Sequence, residues 1–261
     1  EDEPQHQLAG DATQSTLEAS DIPVFHLPGS TCNQDIDWTV KHAHREATLR
    51  QGPTALLLPR NAFIADTQTT PLLEDSGLSP ENVMREIDKH VDTKFLRVAT
   101  TGFTSRRMLD CSSPTFLNVG AMGHASGIAQ GVLCARPTAD VLVIDGDGAL
   151  AMHLGSLLLS SSHRGRILHI VLNNNIHESV GGASTAWTDQ HSMVDVAHAL
   201  GARKATRCIT VMELRKEISD IGDGWTFIEV PTKRSDAKIK LPRPQRSLPE
   251  MLRRLKDELN W

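Results

Sequence analysis

The sequence predicts an α/β fold in which helices cover both faces of a parallel sheet. Apolar stretches of strand length alternate along the chain with segments of helical composition, and such alternation indicates β-α-β units with parallel strands. The residues are also 39% hydrophobic, which is enough to bury a sizeable core. The four clearest strands are predicted at 95–99, 141–145, 167–172 and 226–230.

The first part of the chain alternates in the same way but supplies few strands. "DIPVFHL" at 21–27 predicts a short strand, and "TALLL" at 54–58 predicts a buried one. Residues 37–51 between them have helical composition, and Gly52-Pro53 ends that helix. Residues 1–65 therefore hold only about two strands, too few for a complete domain. Because no initiator methionine opens the chain, we expect it to begin inside something larger.

A polar, proline-containing linker is predicted at 66–80, followed by a larger domain at 81–261. Ser79 is the expected N-cap of the first helix of that domain, with Pro80 at its first position. From this point the alternation is regular. The predicted helices cover 81–91, 123–135, 149–162, 191–200 and 211–219.

Charge and composition exclude several classes of protein. A formal net charge of -5 and a pI near 6.2 argue against a nucleic-acid partner. No apolar run approaches the ~20 residues that cross a bilayer, and no signal peptide opens the chain. The four cysteines (Cys32, Cys111, Cys134 and Cys208) lack metal-ligand spacing, which favours reduced thiols in a cytoplasmic protein without a membrane partner.

Two carboxylates stand where a buried strand ends. The strand at 141–145 runs into Asp145-Gly146-Asp147-Gly148, and carboxylates at such a junction are costly unless something pairs with them. Asn174 follows the next predicted strand, one helix and one strand later, so the crossover returns it to the same edge of the sheet. Carboxylate and carboxamide oxygens suit Mg²⁺, which commonly completes its shell with phosphate oxygens. The sequence therefore predicts a metal–diphosphate site at this edge.

The residues around Asp147 favour the same interpretation. Gly146 and Gly148 let the backbone approach a phosphate closely, and the helix expected to begin near Ala149 would direct N–H groups toward it. Gly-Asp-Gly alone is a common turn, and paired asparagines are common in turns as well. Their joint occurrence, each after a predicted strand, is what favours a metal site.

The spacing also resembles a known signature. Gly146-Asp147-Gly148, followed after 24 residues by Asn173-Asn174, resembles the pattern of the thiamine-diphosphate (ThDP) enzymes. The resemblance implies that the Asp147 carboxylate, the Asn174 side chain and the Ile176 carbonyl bind Mg²⁺.

A second stretch, "NVGAMGHASGIAQG" at 118–131, is similar to the Gly-x-Met-Gly segment of the same family. The resemblance implies that the Gly120 carbonyl contacts the aminopyrimidine of the cofactor, and that Met122 lies beneath its thiazolium ring. Taken without the resemblance, Met122 would be interpreted as core packing.

Longer stretches resemble the phosphonopyruvate and sulfopyruvate decarboxylases within that family. The similar stretches are "VATTGFTSR" at 98–106, "VGAMGHAS" at 119–126, "MHLGSL" at 152–157 and "NNNIHESVGGAST" at 173–185. The first of them adds Thr101 and Gly102 to the implied cofactor-binding residues. The resemblance implies a ThDP-binding fold, with the end of a pyrimidine-binding domain at 1–65 and a diphosphate-binding domain at 81–261.

The implied reaction is the ThDP- and Mg²⁺-dependent decarboxylation of a small anionic 2-oxo acid. The substrate would be 3-phosphonopyruvate, converted to phosphonoacetaldehyde and CO₂ in phosphonate biosynthesis, with sulfopyruvate as the alternative. His177 is the candidate catalytic residue, because its pKa suits both proton transfer and binding of the substrate anion. The alternative is a loop histidine that contacts backbone. Ser179, Gly181 and Gly182 are candidate donors to the anionic tail, or part of an ordinary loop.

Two departures from the family pattern bear on assembly. The activating glutamate of this family belongs to the first part of the pyrimidine-binding domain, which residues 1–65 do not include, and Phe103 stands where the family loop has lysine. We expect a second polypeptide to supply that part and the glutamate, in a heterotetramer. A non-catalytic regulatory module of the same fold is the alternative. A nicotinamide-binding Rossmann enzyme is disfavoured, because "GAMGHASG" does not match Gly-x-Gly-x-x-Gly.

Overall fold

The structure, a computed structural model, divides the chain into two units, Glu1–Leu72 and Leu73–Trp261. It describes residues 4–27, 33–59, 62, 77–113, 115–118, 120–187, 190–235, 241–242 and 246–258. Most of the predicted linker at 66–80 lies outside these residues, because the description resumes at Gly77. The division into domains at 1–65 and 81–261 stays a prediction.

Unit 1 contains two helices and two short parallel strands within its described residues. They are α1 (Pro4–Ala19), β1 (Val24–His26), α2 (Asn33–Arg50) and β2 (Ala55–Leu57). β1 pairs with β2 from Val24↔Ala55 to His26↔Leu57, so each strand falls inside a predicted stretch. The second helix begins at Asn33 rather than at residue 37 and ends before the predicted breaker Gly52-Pro53.

Unit 2 is built on a six-stranded sheet, in which every described neighbour pair is parallel. In chain order its strands are β3 (Leu96–Ala99), β4 (Thr115–Leu117), β5 (Val141–Gly146), β6 (Arg166–Asn173), β7 (Lys204–Arg207) and β8 (Gly224–Pro231). In space they follow the order β4-β3-β5-β6-β8-β7. The predicted α/β class with a parallel sheet is confirmed.

Helices lie on both faces of that sheet. They are α3 (Pro80–His90), α4 (Phe103–Arg107), α5 (Ala125–Ala135), α6 (Asp147–Met152), α7 (Met193–Ala199), α8 (Val211–Ser219) and α9 (Leu248–Glu258). α3 and α8 supply Ile87 and Leu214 to one apolar layer, while α5 and α7 supply Leu133 and Ala197 to the other. Ser79 caps α3, as predicted, by accepting a hydrogen bond from the Asn82 N–H.

The differences from the predicted elements have physical causes. β4 and β7 are edge strands, so they lack the long apolar run that marks a strand buried on both faces. The helix predicted at 149–162 begins earlier, at Asp147, and continues from Leu154 to Ser162 as a 3-10 segment. Within the described residues, no helix combines the length and apolar character that a bilayer crossing requires.

A fully buried charge ties α3 to β3. The Arg97 side chain has no solvent exposure; its NH1 donates to Asp88 Oδ1 at 3.1 Å, and its NH2 donates to the Val91 carbonyl at 3.0 Å. Asp88 also accepts a hydrogen bond from the Ser112 N–H at 3.0 Å, which fixes the segment before β4. One carboxylate therefore neutralises a core arginine and holds the edge of the sheet.

We predict that Asp88→Ala lowers the free energy of unfolding by about 3 kcal/mol, because it leaves a buried guanidinium without its anion. Urea unfolding of the full chain measures the change. Asp223→Ala, which removes an exposed carboxylate, should change the free energy by less than about 0.5 kcal/mol. Equal losses in the two variants would contradict this assignment.

Candidate cofactor site

The candidate site is a cavity at the carboxyl ends of β3, β5 and β6, the edge where open parallel sheets bind ligands. The segments that follow these three strands form most of its wall. Nine residues predicted for cofactor binding or catalysis line it, as does the candidate donor Ser179. The nine are Thr101, Met122, Gly146, Asp147, Gly148, Ala149, Asn174, Ile176 and His177. Residues from loops far apart in sequence therefore meet at one place, although their roles stay predictions.

The two remaining residues predicted for cofactor binding, Gly102 and Gly120, lie beside the cavity wall, and the candidate donors Gly181 and Gly182 are not among the lining residues. Gly102 has a φ of 100°, and a Cβ added there would lie 3.3 Å from Ser179 Oγ and 3.7 Å from Met122 Cε. The Gly120 N–H donates to Thr101 Oγ1 at 3.3 Å. Glycine is suited to position 102 because its positive φ strains other residues, and the added Cβ would also press on the Ser179 hydroxyl.

Asp147 is the buried carboxylate of the cavity. It is the first residue of α6 and only 4% exposed. Its Oδ2 accepts a hydrogen bond from Thr185 Oγ1 at 2.8 Å, and its carbonyl accepts one from Trp187 Nε1 at 2.7 Å. Burial raises the pKa of Asp147 to about 6, against the lowering effect of the Thr185 hydrogen bond. A nearby cation would stabilise the ionised form of this carboxyl.

The tandem asparagines after β6 make different contacts. Asn173 is structural: its Nδ2 donates to Glu229 Oε1 at 2.8 Å, and its Oδ1 accepts from the Asn175 N–H at 3.1 Å. Asn174 faces the cavity, with Oδ1 accepting from the Ile176 N–H at 3.2 Å and Nδ2 donating to Glu178 Oε2 at 3.1 Å. The second asparagine is thus the one placed to meet a ligand.

A small backbone ribbon holds the segment that follows Asn174. Ile176 forms an antiparallel bridge with Ser184, the Thr185 N–H donates to the Asn175 carbonyl, and the His177 N–H donates to the Ala183 carbonyl. This pairing delivers Thr185 to the Asp147 carboxylate. Thr185 and Trp187 were not predicted as site residues, because no local pattern distinguishes them and their contacts span about 40 positions.

His177 packs directly on the backbone of Gly148. A Cβ added at Gly148 would lie 2.4 Å from His177 Nδ1 and 2.6 Å from its Cε1. Only glycine at position 148 therefore leaves room for the imidazole in this place. The second glycine of Gly-Asp-Gly has a specific packing reason here, separate from the phosphate contact that the sequence predicts.

The donor set fits the predicted cofactor and metal. Among the described residues no three histidine, cysteine, aspartate or glutamate side chains cluster as a metal site, so Mg²⁺ would depend on Asp147 together with neutral oxygens. Such hard oxygen donors, completed by phosphate oxygens, are what Mg²⁺ takes. Thr100 Oγ1 is also buried at the cavity wall without a hydrogen-bond partner among the described residues, and so has a donor to offer.

Two charged residues of the wall were also missed by sequence analysis. Arg107 is buried, lines the cavity, and donates from Nε to Glu81 Oε1 at 3.0 Å. Glu178 lines it as well and accepts from Asn174. The fold brings Arg107 into the wall through α4, a five-residue helix that is not among the helices predicted from the sequence.

The part of the chain that forms the cavity is similar in sequence to known proteins. A family model described as "Thiamine pyrophosphate enzyme, C-terminal TPP binding domain" matches residues 98–230. The matched range begins in β3 and ends in β8, and it contains the carboxyl ends of all three strands that form the cavity.

The curated relatives extend the similarity beyond that range. Phosphonopyruvate decarboxylases of Streptomyces viridochromogenes and Streptomyces hygroscopicus are 30% and 32% identical, over 98% of this chain and 68% of each relative. Sulfopyruvate decarboxylase subunit beta of Methanothermobacter thermautotrophicus is 29% identical, over 55% of this chain and 77% of the relative.

A solved structure shares the fold. A thiamine diphosphate-dependent 4-hydroxybenzoylformate decarboxylase of Rhodococcus jostii RHA1 aligns with a TM-score of 0.53 at 18% identity. The alignment covers 74% of this chain and 43% of that protein. At this identity the likeness concerns the fold alone, and it agrees with the parallel sheet described above.

We predict that Asp147→Ala abolishes Mg²⁺-dependent binding of ThDP, because it removes the charged ligand of the predicted metal site. Asn174→Ala should weaken binding less, since a neutral ligand is lost. Isothermal titration of ThDP with and without Mg²⁺ measures both effects, with Asp223→Ala as the control. Unchanged affinity in Asp147→Ala would refute the metal assignment.

We predict that Thr185→Val shifts the pH dependence of Mg²⁺–ThDP binding upward. Binding needs ionised Asp147, so wild-type affinity should fall as the pH drops through about 6. Losing a hydrogen bond to the charged carboxylate, worth about 1.5 kcal/mol, should move that midpoint up by about one pH unit. Thr185→Ser keeps the hydroxyl and should keep the wild-type midpoint. An identical midpoint in Thr185→Val would contradict the role of this hydrogen bond.

Proposed function

The chain belongs to the thiamine pyrophosphate enzymes, among the relatives of phosphonopyruvate and sulfopyruvate decarboxylases, and from that premise we propose that it decarboxylates 3-phosphonopyruvate to phosphonoacetaldehyde and CO₂. The observation that carries the proposal is the cavity at the ends of β3, β5 and β6. It gathers nine residues that were selected from the sequence for cofactor binding or catalysis. Similarity over 98% of this chain, and 68% of each relative, to two enzymes of that name supports the choice of reaction.

Each part of the cavity has a role in this reaction. Thiamine diphosphate, when bound, supplies the electron sink that a 2-oxo acid needs in order to lose CO₂. Asp147, Asn174 and the Ile176 carbonyl would hold Mg²⁺, while Gly146, Gly148 and Ala149 would let the backbone approach the diphosphate. Met122, which also lines the cavity, would support the thiazolium ring of the cofactor.

His177 is the proposed proton carrier, or else it binds the substrate anion. It lines the cavity, and its imidazole rests against Gly148 beside the predicted metal ligand Asp147. The backbone ribbon fixes its Cα, because the His177 N–H donates to the Ala183 carbonyl at 2.7 Å. An imidazole held in this way can both transfer a proton and bind an anion.

Arg107 is the cationic side chain that the described cavity wall offers to an anionic substrate, beside the carboxylates of Asp147 and Glu178. Arg107 contributes a permanent positive charge, and Phe103 packs beneath it, with the guanidinium carbon 5.9 Å from the ring centroid. Phe103 stands where the family resemblance predicts lysine. Arg107, one helical turn after Phe103 in α4, would supply a positive charge in place of that lysine. Glu81 pairs with this arginine at 3.0 Å and sets its position.

Sulfopyruvate is the second candidate substrate, and the relatives named sulfopyruvate decarboxylase subunit beta favour it. Phosphonate and sulfonate are both tetrahedral anions that differ mainly in charge and protonation. The alignments with the phosphonopyruvate decarboxylases cover 98% of this chain, and we therefore favour phosphonopyruvate as the substrate.

We further propose that the enzyme acts with a second polypeptide that completes the pyrimidine-binding domain and carries the activating glutamate, as a heterotetramer. Two observations support it. The described residues of unit 1 form only a two-stranded sheet, and α2 exposes Trp38 and Leu49 to 60% and 68%. The matching relatives named "subunit beta" are, by that name, components of larger enzymes.

The proposal is tested by measuring CO₂ release from phosphonopyruvate, sulfopyruvate and pyruvate. Each substrate is assayed with the chain alone and with the chain reconstituted with the front part of a pyrimidine-binding domain. We expect activity only in the mixture, with kcat/KM for phosphonopyruvate at least about tenfold above sulfopyruvate, equivalent to 1.4 kcal/mol. Asp147→Ala in the mixture is the inactive control. Preference for sulfopyruvate would select the alternative substrate, and full activity of this chain alone would refute the second polypeptide.

A further inference from the structure

Glu178 joins the predicted metal ligand Asn174 to a distant part of unit 2. Its Oε2 accepts a hydrogen bond from Asn174 Nδ2 at 3.1 Å, and its Oε1 accepts one from the Ser235 N–H. Ser235 lies beyond the last strand of the sheet, four residues after β8 ends at Pro231. Nothing in the predicted cofactor chemistry assigns a role to this carboxylate.

A carboxamide has one end that binds a cation and one that cannot. The oxygen carries two lone pairs, whereas the nitrogen offers only protons. The two ends have nearly the same shape, so the hydrogen-bond partners decide which of them faces a ligand. At Asn174 both contacts select one orientation, because Oδ1 accepts from the Ile176 N–H and Nδ2 donates to Glu178. One lone pair of Oδ1 then remains for a cation.

We propose that Glu178 is a positioning residue, which holds the Asn174 carboxamide with its oxygen toward the Mg²⁺ site. The inference rests on the proposed function, since Mg²⁺ and ThDP are the ligands that this oxygen would meet. Carboxylates that orient metal ligands from outside the coordination shell commonly change metal affinity by about 10–100-fold when they are removed.

The far side of Glu178 is held equally well. Ser235 donates its N–H to Glu178 and accepts at Oγ from Arg107, and Arg107 in turn donates to Glu81 Oε1 at 3.0 Å. Arg107 is buried and Glu81 lies in the first turn of α3. A chain of hydrogen bonds therefore runs from α3 to Asn174, and the segment after β8 becomes part of the cofactor site.

The polarity of the contact can be reversed by substitution. Glu178→Gln replaces one acceptor oxygen by an NH₂ group, which then faces either Asn174 Nδ2 or the Ser235 N–H, and both of these are donors. Asn174→Asp alone places two carboxylates against each other. In the double variant the introduced glutamine donates to the introduced aspartate and still accepts from Ser235, so every hydrogen bond and the net charge of the pair are restored.

The first measurement is the Mg²⁺ affinity of the full chain at saturating ThDP, by calorimetry. We expect Glu178→Gln to lose about 10–100-fold, and the double variant to recover to within about threefold of the wild type. Asp223→Asn, which removes the same charge at an exposed position, should leave the affinity unchanged. The proposal would be overturned if Glu178→Gln bound Mg²⁺ as tightly as the wild type. It would also be overturned if the double variant bound Mg²⁺ as weakly as Glu178→Gln does.

The second measurement needs no ligand. In the ligand-free chain, Asn174→Asp should lower the thermal unfolding midpoint at pH 7, and adding Glu178→Gln should restore it. Additive losses in the double variant would overturn the assigned orientation. A wild-type chain that fails to bind Mg²⁺ and ThDP would contradict the proposed function, and the ligand-free comparison would then decide the orientation of Asn174 alone.

Discussion

The parallel pairing of β5 with β6 is the constraint on which the site depends. The register runs unbroken from Val141↔Ile167 to Gly146↔Leu172, so the two strands end at the same edge of the sheet. Asp147 and Asn174 follow those ends directly. Because side chains alternate between the faces of a sheet, a slip of one residue would exchange the side chains that β6 presents to the two apolar layers. Both layers are packed around the side chains in the observed register, so such a slip would be unfavourable.

Polar groups at this edge are held by other parts of the fold. The pKa of Asp147 is raised by burial, and Thr185 and Trp187 stabilise the residue through its carboxylate and its carbonyl. Asn173 fixes the start of the loop by bonding to Glu229 on the neighbouring strand. Burying unpaired polar groups is unfavourable, so these contacts, drawn from three separate segments, make it feasible to keep a carboxylate at the end of a hydrophobic strand.

The sequence predicts the parts of this molecule whose signals are local. The four central strands are apolar runs, and Asp147 and Asn174 are recognisable by their distance from each other and by the strands before them. Thr185, Arg107 and Glu178 could not be predicted in the same way, since each is an ordinary residue until the fold places it. The partner of Thr185 is 38 residues away, and Glu178 reaches a residue 57 positions further on. Edge strands such as β7 escape detection for a related reason, because solvent on one side relaxes the demand for apolar residues.

The contact between Gly148 and His177 has a consequence for redesign of the enzyme. A Cβ at position 148 would occupy the space of the imidazole. Substitutions at positions 148 and 177 therefore have to be chosen together. A library that diversifies one of them independently will consist mainly of sterically incompatible pairs. A residue larger than glycine at position 148 therefore requires a smaller side chain at position 177, which would remove the imidazole proposed for proton transfer.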